Sequence, residues 1–219
     1  MFRLRDDPEF ARGLPFLLFV VFLVLAANLP SYSVWIVVAR GAVIALVLAW
    51  FWRGYSELRN PPPVHPAHWP VAVLAGLAVF LAWIGFDQDW AVLSRSPGFA
   101  PLRPDGSTDW AMALARLAGF VLVVPVMEEL FWRSLVLRWI ERHEFLSVAP
   151  GSVGIRAFVI TTALFALEHD RWFAGVIAGV VYNALYMRTG NLWVPIVAHA
   201  CTNGALGVWV LYTGNWEFW

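Results

Sequence analysis

Seven stretches of the chain read as candidate membrane-crossing helices, at 13–29, 34–52, 70–86, 110–140, 155–168, 172–187 and 192–212. A helix crosses the hydrocarbon layer with roughly 20 mainly apolar residues. In lipid every backbone N–H and C=O must be bonded within the protein, so such segments are confined to helices or closed barrels. The pattern predicts an all-α polytopic transmembrane bundle of about seven spans. No repeat or linker divides it, so 1–219 is expected to be a single membrane domain. The fifth and sixth stretches are short, and are expected to be tilted, broken or shielded inside the bundle. Composition agrees with this reading. The chain is 60% hydrophobic and 14% charged, where a soluble domain carries about 25% charged residues. That excludes most water-soluble enzymes and disordered proteins. The net charge of zero leaves no basic field for nucleic acid. All 15 basic residues are arginine, so no lysine is present to form a Schiff base. The one cysteine, Cys201, excludes an internal disulfide and a multi-cysteine metal site.

Arginine placement predicts orientation. Arg3, Arg5 and Arg12 precede the first span, and Arg53 and Arg59 follow the second. Arg138, Arg142 and Arg156 lie between the fourth and fifth, and Arg188 follows the sixth. Seven spans put all of these on one side, which predicts a cytoplasmic N-terminus. The opposite loops hold Arg95, Arg103 and Arg171, with Asp87, Asp89, Asp105 and Asp109 beside the first two. The first stretch has the basic leader of a signal peptide, but Asp6, Asp7 and Glu9 sit in that leader and more spans follow, which favours an uncleaved span. Trp50, Trp52, Trp69, Trp110, Trp139, Trp172 and Trp193 fall near span ends, as in aromatic belts. The proline-rich segment 59–70 and the segment 91–107 are expected to be loops.

Three polar clusters sit where a bilayer makes ionisable groups expensive, a placement that commonly marks function. The first is Glu128, Glu129 and Arg133. Glu129 and Arg133 are four apart and can pair on one helix face, while Glu128 lies about 100° round the helix and is free to point elsewhere. The plainer alternative is a helix that has reached the interface, where such charges are cheap. The second is Phe165 and His169, again four apart; the alternative is a helix-end histidine bonded to a carbonyl. The third is His199 and Asn203, one turn apart inside the last span; the alternative is an interhelical hydrogen bond worth about 1 kcal/mol. Cys201 is about 200° round the helix from His199, too far for a Cys–His nucleophile, and is expected to pack. His65, His68 and His143 read as solvated loop residues. Glu168 and Asp170 flank His169 as helix-end charges or as groups that orient its ring. Arg40 and Arg116 are expected to snorkel or to pair with a buried acid.

Glu-Glu-x3-Arg, Phe-x3-His and His-x3-Asn, in that order on successive apolar helices, resemble the CAAX prenyl endopeptidase family. In bacteria this is the CPBP group (CAAX proteases and bacteriocin-processing enzymes) of intramembrane proteases. The resemblance covers about 110–219, with the core at about 110–213; nothing in 1–103 maps to it. EELFWR, FALEHDRW, RTGNLW and TGNWEFW look like the bacterial branch termed CAAX prenyl protease-related. That branch accompanies exosortase sorting systems, so the resemblance implies an envelope-processing enzyme of the bacterial inner membrane with a membrane-associated protein or peptide substrate. By position, Glu128 is implied to be the general base that activates water, and His169 to help position that water. Glu129 and Arg133 are implied to hold the base helix in register, His199 and Asn203 to stabilise the oxyanion, and Phe165 to pack beside the site.

The chemistry is consistent with these roles. Peptide hydrolysis needs an activated water and donors aimed at a tetrahedral oxyanion, and a carboxylate taken out of water is a suitable base. Two routes stay open. Glu128, His169 and His199 have the donor types that bind zinc with a free fourth position, and the same residues serve a metal-free, glutamate-dependent hydrolysis, towards which the absence of HExxH leans. A non-enzymatic scaffold or immunity-type protein, with the polar groups as interhelical glue, is the competing class. Convergence of Glu128, His169 and His199 on one water-sized cavity separates the two. A transporter with a proton relay would show repeat symmetry between halves, and none is apparent.

Overall fold

A computed structural model of the chain describes residues 6–29, 33–95 and 98–219. Helices are the regular elements among them, apart from an isolated bridge between Leu102 and Thr108. In chain order they are α1 (Pro8–Asn28), α2 (Ser33–Phe51), the single turn α3 (Ser56–Arg59), α4 (His68–Gly85), α5 (Trp110–Trp139), α6 (Ile155–Leu167), α7 (Trp172–Thr189) and α8 (Trp193–Thr213). Of these, α1, α2, α4, α5 and α8 are long and apolar enough to cross a membrane. Helix α6, with 13 residues, is too short for that, and α7 is less apolar than the others. Large apolar side chains such as Leu46, Leu74, Leu122, Ile155 and Val208 are exposed on the outside of the bundle, as lipid-facing positions require.

Loop contacts sort the helix ends onto two faces. On the first face Arg12 of α1 meets Glu57 of α3, which also meets Arg138 near the end of α5. There Asn191, between α7 and α8, donates to the carbonyl of Pro62, and Trp193 donates to that of Leu58. On the second face Asp87, after α4, pairs with Arg171 at the start of α7. Ser94 donates to Asp170 there, and Phe99 N–H donates to the carbonyl of Trp219. The seven longer helices therefore alternate in direction, and α6 and α7 run between the same two faces as the longer spans. Arg53, Arg59, Arg142, Arg156 and Arg188 fall at the first face with Arg12 and Arg138. Arg95, Arg103 and Arg171 fall at the second. Arg3 and Arg5 lie outside the described residues.

The first face is tied by a closed polar cluster. Arg12 is fully buried and donates to Glu57, to Ser134 of α5 and to the carbonyls of Pro8 and Gly54. Arg138 donates to Glu57 at 2.9 Å and to Ser134 at 2.8 Å, and the Ser134 hydroxyl donates to Glu57. Burial pushes the Glu57 carboxyl up, but the Arg12 charge and the hydrogen bonds from Arg12 and Ser134 outweigh it and hold the group at about 2. Deeper in the bundle α4 crosses α8 at Gly76, where a Cβ would overlap the carbonyl oxygen of Ala198 and press on Cys201. Only glycine permits that approach. At the second face Gly98, with φ of +70°, brings the chain against the backbone of Trp216, so the segment after α8 lies back over the bundle.

Helix α5 is not a uniform α-helix. It carries a π segment at Gly119–Val123 and another at Leu130–Val136, on either side of Val124–Glu129. Pro125 follows the first. In a π ladder its N–H would bond to the carbonyl five residues back, that of Phe120, and proline has no N–H to give. The freed carbonyl accepts instead from Asn203 Nδ2 of α8, at 2.8 Å.

Candidate active site

Glu128 and Glu129 sit between the two π segments of α5, and both are buried. Glu129 Oε1 accepts from Arg133 Nη1 at 3.2 Å and lies 2.9 Å from His199 Nδ1. Arg133 is fully buried, donates Nε to Asn183 Oδ1 at 3.2 Å, and lies over the rings of Phe165 and Tyr182. Asn183 in turn donates to Thr162 Oγ1 at 3.1 Å. The expected Glu129–Arg133 pair is therefore present, and it is one link in a chain that runs from α6 through α7 and α5 to α8. Its end is the imidazole of His199, against which Tyr182 stacks at 5.0 Å and 20°. Tyr182 is fixed by Thr202, whose hydroxyl donates to the carbonyl of Gly76 or of Ala198.

The hydrogen bonds settle which ring nitrogen faces where. A carboxylate only accepts, so His199 Nδ1 carries the proton it shares with Glu129, and Nε2 faces Glu128 Oε2 at 4.0 Å. His169 Nδ1 lies 2.8 Å from the carbonyl oxygen of Phe165 and must donate to it, which leaves Nε2 as the acceptor. Trp83 and Phe165 pack edge-on and tilted against that ring, with centroids at 5.2 and 4.7 Å. The helix-end histidine bonded to a carbonyl is thus realised, and the same bond presents the other nitrogen to the site. Glu168 accepts from Trp132 Nε1 and Asp170 from Ser94, so these two carboxylates are engaged away from the His169 ring.

Two cavities meet here. One of about 170 Å³ is lined by Glu128, His169, His199, Asn203, Phe165 and Tyr182 among others. A larger one of about 310 Å³, between α1, α2 and α5, reaches Trp219 and Asp170 at the second face. Glu128 and His169 border both. Glu128 Oε2 and Glu129 Oε2 are buried without a hydrogen-bond partner, as is Arg133 Nη2. Buried carboxylate oxygens are normally satisfied, so Glu128 leaves an acceptor free at a cavity wall. A scaffold held by interhelical glue does not call for this convergence.

The residues expected from the sequence, Glu128, Glu129, Arg133, Phe165, His169, His199 and Asn203, come together at this junction. Asn203 reaches it with one amide hydrogen already given to Phe120. Among the described residues no three of His, Cys, Asp or Glu form a group able to hold a metal ion, the set Glu128, His169 and His199 included. Cys201 faces Gly76 of α4 and packs, as expected. Of the two alternatives expected for Arg40 and Arg116, pairing with an acid is not seen among the described residues, and both border the larger cavity. Tyr182, Asn183 and Thr162 escaped the sequence reading. A tyrosine and an asparagine one residue apart in an apolar helix were the signal available for the first two.

Residues 110–205 match the family model described as Rce1-like: Type II CAAX prenyl endopeptidase Rce1-like. Comparison with curated proteins and with solved structures gives no match.

Proposed function

We propose, for a chain whose residues 110–205 match the Rce1-like CAAX prenyl endopeptidase family model, an intramembrane endopeptidase that hydrolyses a peptide bond of a membrane-associated protein. The family match carries the protease class and the multi-pass helices carry the bilayer; the roles below are our reading. One observation carries it: Glu128 presents an unpartnered carboxylate oxygen at a cavity wall shared with the acceptor nitrogen of His169.

A water held between them donates one hydrogen bond to His169 Nε2 and gives its other proton to Glu128. Its oxygen attacks the scissile carbonyl, the carbonyl π bond becomes an oxyanion, and the C–N bond breaks as Glu128 returns the proton to the leaving amine. Asn203 offers its second amide hydrogen to the oxyanion. His199 donates from Nε2 in its doubly protonated form, the Glu129 carboxylate balancing the charge through Nδ1. These residues supply every step themselves.

The arginine excess at the first face makes it the cytoplasmic side of a bacterial inner membrane. The larger cavity then opens towards the outer side, where Trp219 and Asp170 line it. That suits processing of envelope proteins, with exosortase-type sorting as the implied context.

The test compares cells carrying the wild-type chain with cells carrying Glu128→Gln at equal membrane abundance. Termini of envelope proteins are mapped by mass spectrometry. At least one cleavage product is expected to vanish in the variant. An unchanged set of termini overturns the proposal.

A further inference from the structure

Two guanidinium groups face the larger cavity with no acid within ion-pair distance among the described residues. Arg40 comes from α2 and Arg116 from α5, each on the order of 10 Å along its helix from the second face, and both share that cavity with Glu128 and His169. Arg40 lies over the ring of Phe19 at 4.5 Å, and Arg116 over Phe99 at 4.9 Å and Trp219 at 5.1 Å. Stacking occupies the flat faces of the guanidinium groups and leaves their N–H edges free for a ligand. Arg116 Nε is buried and has no acceptor. The other arginines inside the bundle, Arg12, Arg133 and Arg138, each meet a carboxylate. Two unpaired cations within reach of each other in an apolar bundle are costly, and an anion brought from outside removes that cost.

We infer that Arg40 and Arg116 form a binding subsite for the carboxylate of a peptide ligand, held in the cavity that Glu128 borders. The planar forks suit a carboxylate bidentately. Glu128, Glu168 and Asp170 also border this cavity, but among the described residues none lies within ion-pair distance of either guanidinium. Apolar walls from Leu23, Val37 and Ile44 receive the adjoining chain, and Glu128 and His169 stand on the wall shared with the smaller cavity. A resident lipid phosphate would fill the space that a substrate needs to reach Glu128, so the anion belongs to the peptide. That last step rests on the proposed hydrolysis; the anion subsite itself does not.

The full chain carrying Glu128→Gln, purified in neutral detergent, is titrated by calorimetry with the apolar peptide acetyl-Leu-Ala-Val-Ala-Leu. The peptide is supplied as the free acid and as the C-terminal amide, and dioleoylphosphatidylglycerol is titrated separately. The acid is expected to bind about tenfold more tightly than the amide. Adding Arg40→Gln and Arg116→Gln brings the ratio to about one, with the melting profile as the fold control. If that pair does not fold, Arg40→Lys with Arg116→Lys keeps the charge and loses the fork, and is expected to lower the ratio. No peptide binding, equal binding of acid and amide, or a preference that survives the arginine changes overturns the inference. Arginine-dependent binding of the phospholipid without an acid preference assigns the subsite to lipid instead. Because hydrolysis is not read, failure here is separable from failure of the protease reading, which the envelope termini test.

Discussion

Helix α5 takes part in two buried Glu–Arg clusters, one at the first face and one in the bundle interior, and they differ in one respect. In the first, Glu57, Ser134, Arg12 and Arg138 exhaust each other: both carboxylate oxygens are taken, and none of the four residues leaves a buried side-chain polar atom unpaired among the described residues. In the second, Glu128, Glu129, Arg133 and His199 leave a carboxylate oxygen on each glutamate and one guanidinium nitrogen unmatched, next to cavities. The inventory is nearly the same. What separates a tie from a site is whether the hydrogen bonds close, because a closed cluster has nothing left to offer a substrate.

Exchanging function for stability at each cluster tests that contrast. The largest expected effect is Glu128→Gln, which removes the base and should lower product formation by about 10⁴-fold while the melting temperature changes little; a large loss of stability would make Glu128 a tie as well. Next is Glu57→Gln, which leaves Arg12 and Arg138 buried without their carboxylate. It should cost roughly 3–5 kcal/mol in chemical unfolding while cleavage per folded molecule is kept. Lower cleavage per folded molecule would break the comparison from the other side.

Asn203→Ala should do some of both. The loss of an oxyanion donor lowers the rate by about 10²-fold, and the carbonyl of Phe120, left bare beside Pro125, costs on the order of 1–3 kcal/mol of stability. A rate loss with no stability loss would dissociate the clasp from the catalytic role. The first cluster also predicts a pH response. The Glu57 carboxyl is held at about 2 in the fold, below its ordinary value of 4.5. Its contribution is therefore complete above pH 4.5 and drains away as pH falls towards 2. Melting temperature followed across that window should fall in the wild type, and the Glu57 contribution to the fall should be absent in Glu57→Gln. The smallest effect is Cys201→Ala at the α4–α8 crossing, which should leave cleavage within about twofold, since that thiol only packs.

The seven helices and the three polar clusters were legible because both signals are local. Apolar length defines a span, and a charge inside such a span stands out against it. The expected helix ends differ from the observed ones by a few residues; α1 starts at Pro8 because Asp7 caps it, its side chain accepting from Glu9 and Phe10 N–H. What stayed hidden depends on elements meeting in space. Spacing arguments at 100° per residue could not foresee the π segments of α5, nor that Glu129 bridges Arg133 to His199 seventy residues away. Glu57 sits in a four-residue helix with no pattern around it, so its partners Arg12, Ser134 and Arg138 were invisible until the loops were placed. For Arg40 and Arg116 the sequence left snorkelling and pairing open, and among the described residues neither has an acid within ion-pair distance.

The brevity of α6 has a mechanical consequence. Thirteen residues rise about 20 Å, whereas the hydrocarbon layer is about 30 Å thick. The outward side chains Ile155, Val159, Leu164 and Leu167 are exposed, so lipid must meet a wall that is too low for it. A segment this short is accommodated by a thinner bilayer, by snorkelling flanks or by neighbouring protein, and His169 stands just past its C-terminal end. Under the proposed hydrolysis, acyl-chain thickness would then act on the site, with thinner membranes lowering the cost of wetting it.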